Sequence, residues 1–108
     1  MRVVYLAGPY RAKTINEIYE NVQRARKDAL RLWKLGYAVI CPHMNTALMD
    51  GALPDNIWLD GDLEILHRCD AIYLMEGWES SIGTCKEVEF AKAHNIPVRY
   101  MKDVTVPL

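Results

Sequence analysis

Short apolar runs alternate along this chain with longer stretches in which apolar positions recur every three or four residues. The first run, RVVYLA at residues 2–7, ends at Gly8-Pro9 and predicts a buried strand followed by a tight turn. Over residues 14–35, Ile15, Ile18, Tyr19, Val22, Ala25, Ala29, Leu32 and Trp33 follow the spacing of one helical face. Thr14 and Glu17 stand in capping-box relation, and Gly36 sits where a left-handed C-cap belongs. YAVIC at 37–41 predicts a second strand, stopped by Pro42. The stretch 43–56 holds Asn45, Asp50, Gly51, Pro54 and Asp55 without a period, and is expected to form a long loop. Helical spacing returns over 57–68, AIYLM at 71–75 predicts a third strand, and 77–80 a loop. A third helix at about 81–94 and a fourth strand, PVRYM at 97–101, complete the pattern, with 102–108 unassigned.

Strands and helices that alternate in this way, with strands apolar on both faces, predict an α/β fold. The expectation is a single domain over 1–108, a Rossmann/flavodoxin-like three-layer sandwich whose parallel sheet has four to five strands joined by right-handed crossovers. Ligands of such sheets bind beyond the carboxyl ends of the strands. Chemistry is therefore expected in loops 8–13, 42–56 and 76–81 and in the segment after 101.

Charge narrows the partners. Thirteen basic and fourteen acidic residues leave a net charge of −1 over 108 residues, without the basic excess of a nucleic-acid-polymer binder. No apolar run approaches the roughly 18 residues of a membrane span, and the apolar stretch before Arg11 is too short for a signal peptide, so a cytoplasmic protein with no membrane partner is expected. So small a core would gain from self-association, and a homodimer or homotetramer is expected. Cys41, Cys69 and Cys85 are read as reduced thiols. Cys41-Pro-His43 and His67-Arg-Cys69 lack the spacing of a zinc module, so no metal is expected.

Two acids stand on apolar stripes. Asp62 shares a helical face with Leu59, Leu63 and Leu66, where it is either a dipole-complementing or capping residue or a chemical group. Glu87 shares a face with Thr84, Val88 and Ala91, where it is either one half of a structural ion pair or a reactive carboxylate. Ahead of Glu87, Ser81, Gly83 and Thr84 open a helix whose free amides and hydroxyls suit a phosphate or carboxylate, although a serine there is also an ordinary N-cap. Gly8, Tyr10 and Arg11 bring backbone, an aromatic face and a guanidinium to the same edge. They do not complete a dinucleotide or NTPase phosphate loop, so no cofactor is implied.

YLAGPYR, CPH, DLEILHRCDAIYL and SIGTCKEVEFA resemble segments of the nucleoside 2-deoxyribosyltransferase-like superfamily, over about residues 5–98. The chain looks most like its small DUF4406-type members and is similar to the nucleoside 5′-monophosphate N-glycosidases. Of these segments S-x-G-x-x-x-E, at 81–87, is the most specific. The resemblance implies that Glu87 is the nucleophile at the anomeric carbon, that Asp62 assists the departing base, and that Tyr5 orients the nucleophile, although a strand tyrosine is as often core. It makes Asp70 structural. Free-nucleoside transferases carry an aspartate where Ser81 stands, so Ser81 with Arg11 and the backbone of loop 8–11 implies a 5′-phosphorylated substrate. Pro9 and Tyr10 depart from the small-residue loop of the N-glycosidases. The asparagine that some transferases lend from a neighbouring subunit is not seen before residue 108.

Cleavage of a C1′–N bond passes through an oxocarbenium-like sugar that a carboxylate can capture, while the base needs an acid whose pKa burial has raised. Glu87 and Asp62 fit those two roles. His43, Asn45, Trp58 and Trp78 lie in loops that could reach a base, and each fits packing or turn chemistry equally well. Two other classes compete: a non-catalytic nucleotide-binding or sensor module using the same pocket, and a flavodoxin-like electron carrier, which would need bound flavin.

Overall fold

In a computed structural model, described over residues 1–105, the chain runs β1 (Val3–Ala7), α1 (Ile15–Lys34), β2 (Ala38–Ile40), α2 (Pro42–Asn45), α3 (Asp55–His67), β3 (Ala71–Leu74), α4 (Ile82–Ala93) and β4 (Val98–Tyr100). Single 3-10 turns follow β3 at Trp78–Ser80 and β4 at Met101–Asp103. The four strands are parallel and ordered β2-β1-β3-β4, so the chain reverses its direction of travel across the sheet between β1 and β3. That reversal is where α/β sheets open a ligand crevice.

The pleat of β1 decides what each layer receives. Val4 and Leu6 pack with Ala25, Ala29 and Leu32 of α1, while Tyr5 and Ala7 face the opposite layer with Leu66 of α3 and Val88 and Ala91 of α4. Helices thus cover both faces, as the apolar strands predicted. At the amino-terminal edge the Asp70 carboxylate accepts from the Val3 amide at 2.7 Å, and the Asp70 amide donates to the Val3 carbonyl at 2.7 Å. The aspartate is a structural clasp between β1 and β3.

Local signals hold where they are chemical. Thr14 Oγ1 accepts from the Glu17 amide at 3.1 Å, and Gly36 takes the left-handed conformation at φ 92°. Two expectations need correction. The buried stripe of α1 is narrower than its apolar pattern: Ile15, Tyr19 and Trp33 are exposed, because they lie about a quarter-turn round the helix from Ala25, Ala29 and Leu32. The stretch 43–56 is not all loop, since Pro42 starts the single-turn α2 and α3 begins at Asp55, two residues before its first apolar position. Proline at the first helical position, where no N–H is needed, explains the former. Of the unassigned 102–108, residues 106–108 lie outside the described residues. Among the described residues no helix is long and apolar enough to cross a membrane.

Candidate active site

Glu87 owes its position to the start of α4. Ser81 Oγ accepts from the Thr84 amide at 3.2 Å, fixing the helix so that Thr84, Glu87, Val88 and Ala91 face the sheet. Only 7% of Glu87 is exposed, and no cation pairs with it among the described residues. Its partner is Tyr5, wholly buried on β1, whose hydroxyl donates to Glu87 Oε2. A structural ion pair is therefore not what holds this acid.

Burial pushes the Glu87 carboxyl up to about 7, opposed by the Tyr5 hydrogen bond, with the charge of Asp62 adding to the rise. Burial and the two carboxylates also keep the Tyr5 hydroxyl protonated far above its ordinary range. Asp62 is half-buried and raised to about 6 by burial. Because α3 begins at Asp55, Asp62 stands beyond the first turn, where neither capping nor the helix dipole accounts for it. Two acids with raised pKa values and a protonated tyrosine thus share one side of the sheet, gathered about the middle of β1.

The model of a domain of unknown function, DUF4406, matches residues 2–100. The chain belongs to the DUF4406 family. Among solved structures it is similar to a 2-deoxyribosyltransferase from the psychrotolerant bacterium Bacillus psychrosaccharolyticus, at 21% identity and a TM-score of 0.65, over 91% of this chain and 70% of that one. Identity this low shows a shared fold, and that fold is the one expected from the sequence. No curated protein matches the chain.

In this DUF4406 chain the other site candidates are distributed unevenly. Gly8 is buried so tightly that a Cβ would meet Met75 Cβ at 2.6 Å, and its carbonyl accepts from Thr84 Oγ1 at 3.1 Å. Gly8 and Thr84 therefore join the end of β1 to α4, leaving Ser81 and the open Gly83 at the accessible helix start. Trp78 is half-buried against the α3/α4 core.

The remaining candidates form a second group across the sheet edge. His43 is buried, its Nε2 donating to the Pro9 carbonyl at 2.6 Å, and burial lowers its pKa against the opposing pull of that hydrogen bond. Tyr10 donates to Asp50 at 2.7 Å, accepts from the Leu48 amide at 3.2 Å and meets His43 edge-on. Arg11 pairs with Asp55 at 2.7 Å, both side chains largely exposed. These contacts strap loop 8–13 to the segment 43–55 and do not bring Arg11 onto Ser81. Asn45 is exposed at the end of α2.

Sequence reasoning missed Asp50 and Asp55 as partners of Tyr10 and Arg11, since pairs 40 and 44 residues apart carry no local pattern. Trp58 stands out differently: among the described residues its Nε1 is the buried side-chain donor that has no partner. Expected in a loop, it lies instead on α3, one turn before Asp62. A buried donor left unpaired costs stability and asks for an acceptor that the described residues do not supply. Among the described residues no group of three His, Cys, Asp or Glu side chains is gathered that could hold a metal ion.

Proposed function

We propose that this protein cleaves or transfers the N-glycosidic bond of a nucleoside or nucleoside 5′-monophosphate through a covalent glycosyl-enzyme intermediate on Glu87. The observation that carries the reading is the buried Glu87, without an ion-pair partner among the described residues and held by the Tyr5 hydroxyl beside a second raised acid, Asp62. A carboxylate kept in an apolar setting without a counter-ion is costly to a fold and useful to a cationic transition state.

In the first step Glu87 Oε bonds to C1′ while the C1′–N bond breaks, its electron pair passing to the base nitrogen, which takes a proton from the Asp62 carboxyl. In the second, the Asp62 carboxylate takes a proton from water as the water oxygen bonds to C1′, and the ester C–O electrons return to Glu87. A second base in place of water gives transfer. Carboxyls titrating at about 6 and about 7 leave both ionic forms populated near neutrality, as acid–base work needs. Tyr5 orients Glu87 and stabilises its ionised form.

For the monophosphate, α4 offers the amides of Ile82 and Gly83, with no hydrogen bond among the described residues, and the Ser81 hydroxyl proton. Arg11 would have to leave Asp55 to join them. The fold shared with a 2-deoxyribosyltransferase supports the reaction class.

The experiment is chromatography of free base after incubation with ribo- and deoxyribonucleoside 5′-monophosphates and nucleosides, with and without a competing base. Release or exchange that vanishes in Glu87→Gln is expected. No base from any substrate, with ligands still raising the melting temperature, would leave a non-catalytic nucleotide-binding module as the better account.

A further inference from the structure

On the face of the sheet opposite Tyr5 and Glu87, α1 and the segments leaving β3 and β4 line an open surface cavity of about 330 Å³. Arg24, Lys27 and Arg31 of α1 and Lys102 beyond β4 meet there, against two carboxylates, Asp28 and Glu76. The lining thus holds four cations and two acids in a chain whose net charge is −1. Residues 24, 27, 28 and 31 make one stripe of the helix, flanking the buried Ala25, Ala29 and Leu32, with Arg24 and Lys27 exposed and Asp28 and Arg31 half-buried along the cavity.

The contacts leave the positive charge largely uncompensated. Arg31 takes up Asp28 at 3.3 Å and braces the chain after β4 by donating to the Val104 carbonyl at 2.7 Å. Arg24 spends one N–H on the Glu76 carbonyl at 2.8 Å. Among the described residues no carboxylate lies within ion-pair distance of Arg24, Lys27 or Lys102, and the Lys102 ammonium rests over the Tyr100 ring, 5.7 Å from its centroid. Like charges three and four residues apart on one helix repel, and a concave wall with an excess of one sign concentrates the field on whatever enters.

We propose that this cavity binds a phosphoryl anion, free or carried as the phosphate or diphosphate of a small metabolite. Three cationic groups from two elements approach from different sides, which suits a tetrahedral anion with several oxygens better than a planar carboxylate. The excess of two positive charges matches a phosphoryl dianion, and the volume lies at the small end of metabolite sites, about 300–1,000 Å³. This site is independent of the glycosidic reading, from which the sheet separates it.

The test is calorimetric titration of the full chain with inorganic pyrophosphate at constant ionic strength, on the wild type, the double variant Lys27→Ala/Lys102→Ala, and Ser81→Asp. The expected result is binding in the wild type and in Ser81→Asp, weakened at least about ten-fold in the double variant, whose melting temperature without ligand is not lowered. Absence of binding in the wild type at millimolar pyrophosphate overturns the proposal, and so does undiminished binding by the double variant. Binding lost in Ser81→Asp but kept in the double variant places the anion at α4 and overturns the cavity while supporting the substrate site.

Discussion

Tyr5 and Glu87 are coupled in a way that a single hydroxyl can test. Tyr5→Phe removes the one hydrogen bond that opposes burial, so the Glu87 carboxyl rises further above about 7 and less of it is ionised near neutrality. Each further pKa unit removes about ten-fold of the reactive form. The rate constant of base release at pH 6.5 should therefore fall at least about ten-fold with little change in KM, and its dependence on pH should move to higher pH. An unchanged pH profile would reduce Tyr5 to packing. Trp58 makes a complementary case. If its orphaned Nε1 serves a substrate acceptor, Trp58→Phe should raise KM about five- to ten-fold, the loss of one buried hydrogen bond, while removal of an unpaired donor offsets part of the packing lost. Equal KM values would mean that the substrate never meets the indole.

At the scale of elements, the proposed reading puts a phosphate contact on the same serine that caps α4, and two substitutions separate the two roles. Ser81→Ala deletes the cap on the Thr84 amide and should destabilise the protein by about 1 kcal/mol in denaturant unfolding. Ser81→Asp keeps a capping oxygen and complements the helix dipole, so stability should hold, while its charge should weaken a 5′-monophosphate much more than the matching nucleoside. Equal losses for both substrates would remove the phosphate from this helix start. The same element shows what a sequence can disclose. Thr14, Gly36, Ser81 and the alternation of Val4 and Leu6 against Tyr5 and Ala7 act within a few residues, so they were legible, and with them the fold and the faces on which Asp62 and Glu87 lie. The strap of Tyr10, Arg11 and His43 was not, because Asp50, Asp55 and the Pro9 carbonyl become neighbours only when loops 8–13 and 43–55 fold against each other. The basic stripe of α1 was equally hidden: on a helical wheel it is an ordinary solvated flank, and only the chain after β4 turns it into a cavity.

For the whole molecule, the candidate site is a standing cost whose sign depends on pH. Glu87 titrates at about 7 in the fold and at 4.5 as an ordinary glutamate, so the folded state binds its proton more tightly than the unfolded chain. A group raised in this way destabilises the fold above its folded pKa, and the penalty is relieved as pH falls from about 7 toward 4.5. The full difference corresponds to about 3 kcal/mol, a sizeable share of the 5–15 kcal/mol that holds a typical domain together. The wild type should therefore gain melting temperature between pH 8 and pH 5. Glu87→Gln, which keeps an acceptor for the Tyr5 hydroxyl without a charge to bury, should be the more stable protein at pH 8 and should lose most of that slope, Asp62 leaving a smaller one of the same sign. A variant that is catalytically dead yet more stable than its parent is what a carboxylate retained for chemistry predicts. Were Glu87→Gln less stable than the wild type at pH 8, the acid would instead be a structural member of the core, and the burial that makes it a nucleophile would have to be read as packing.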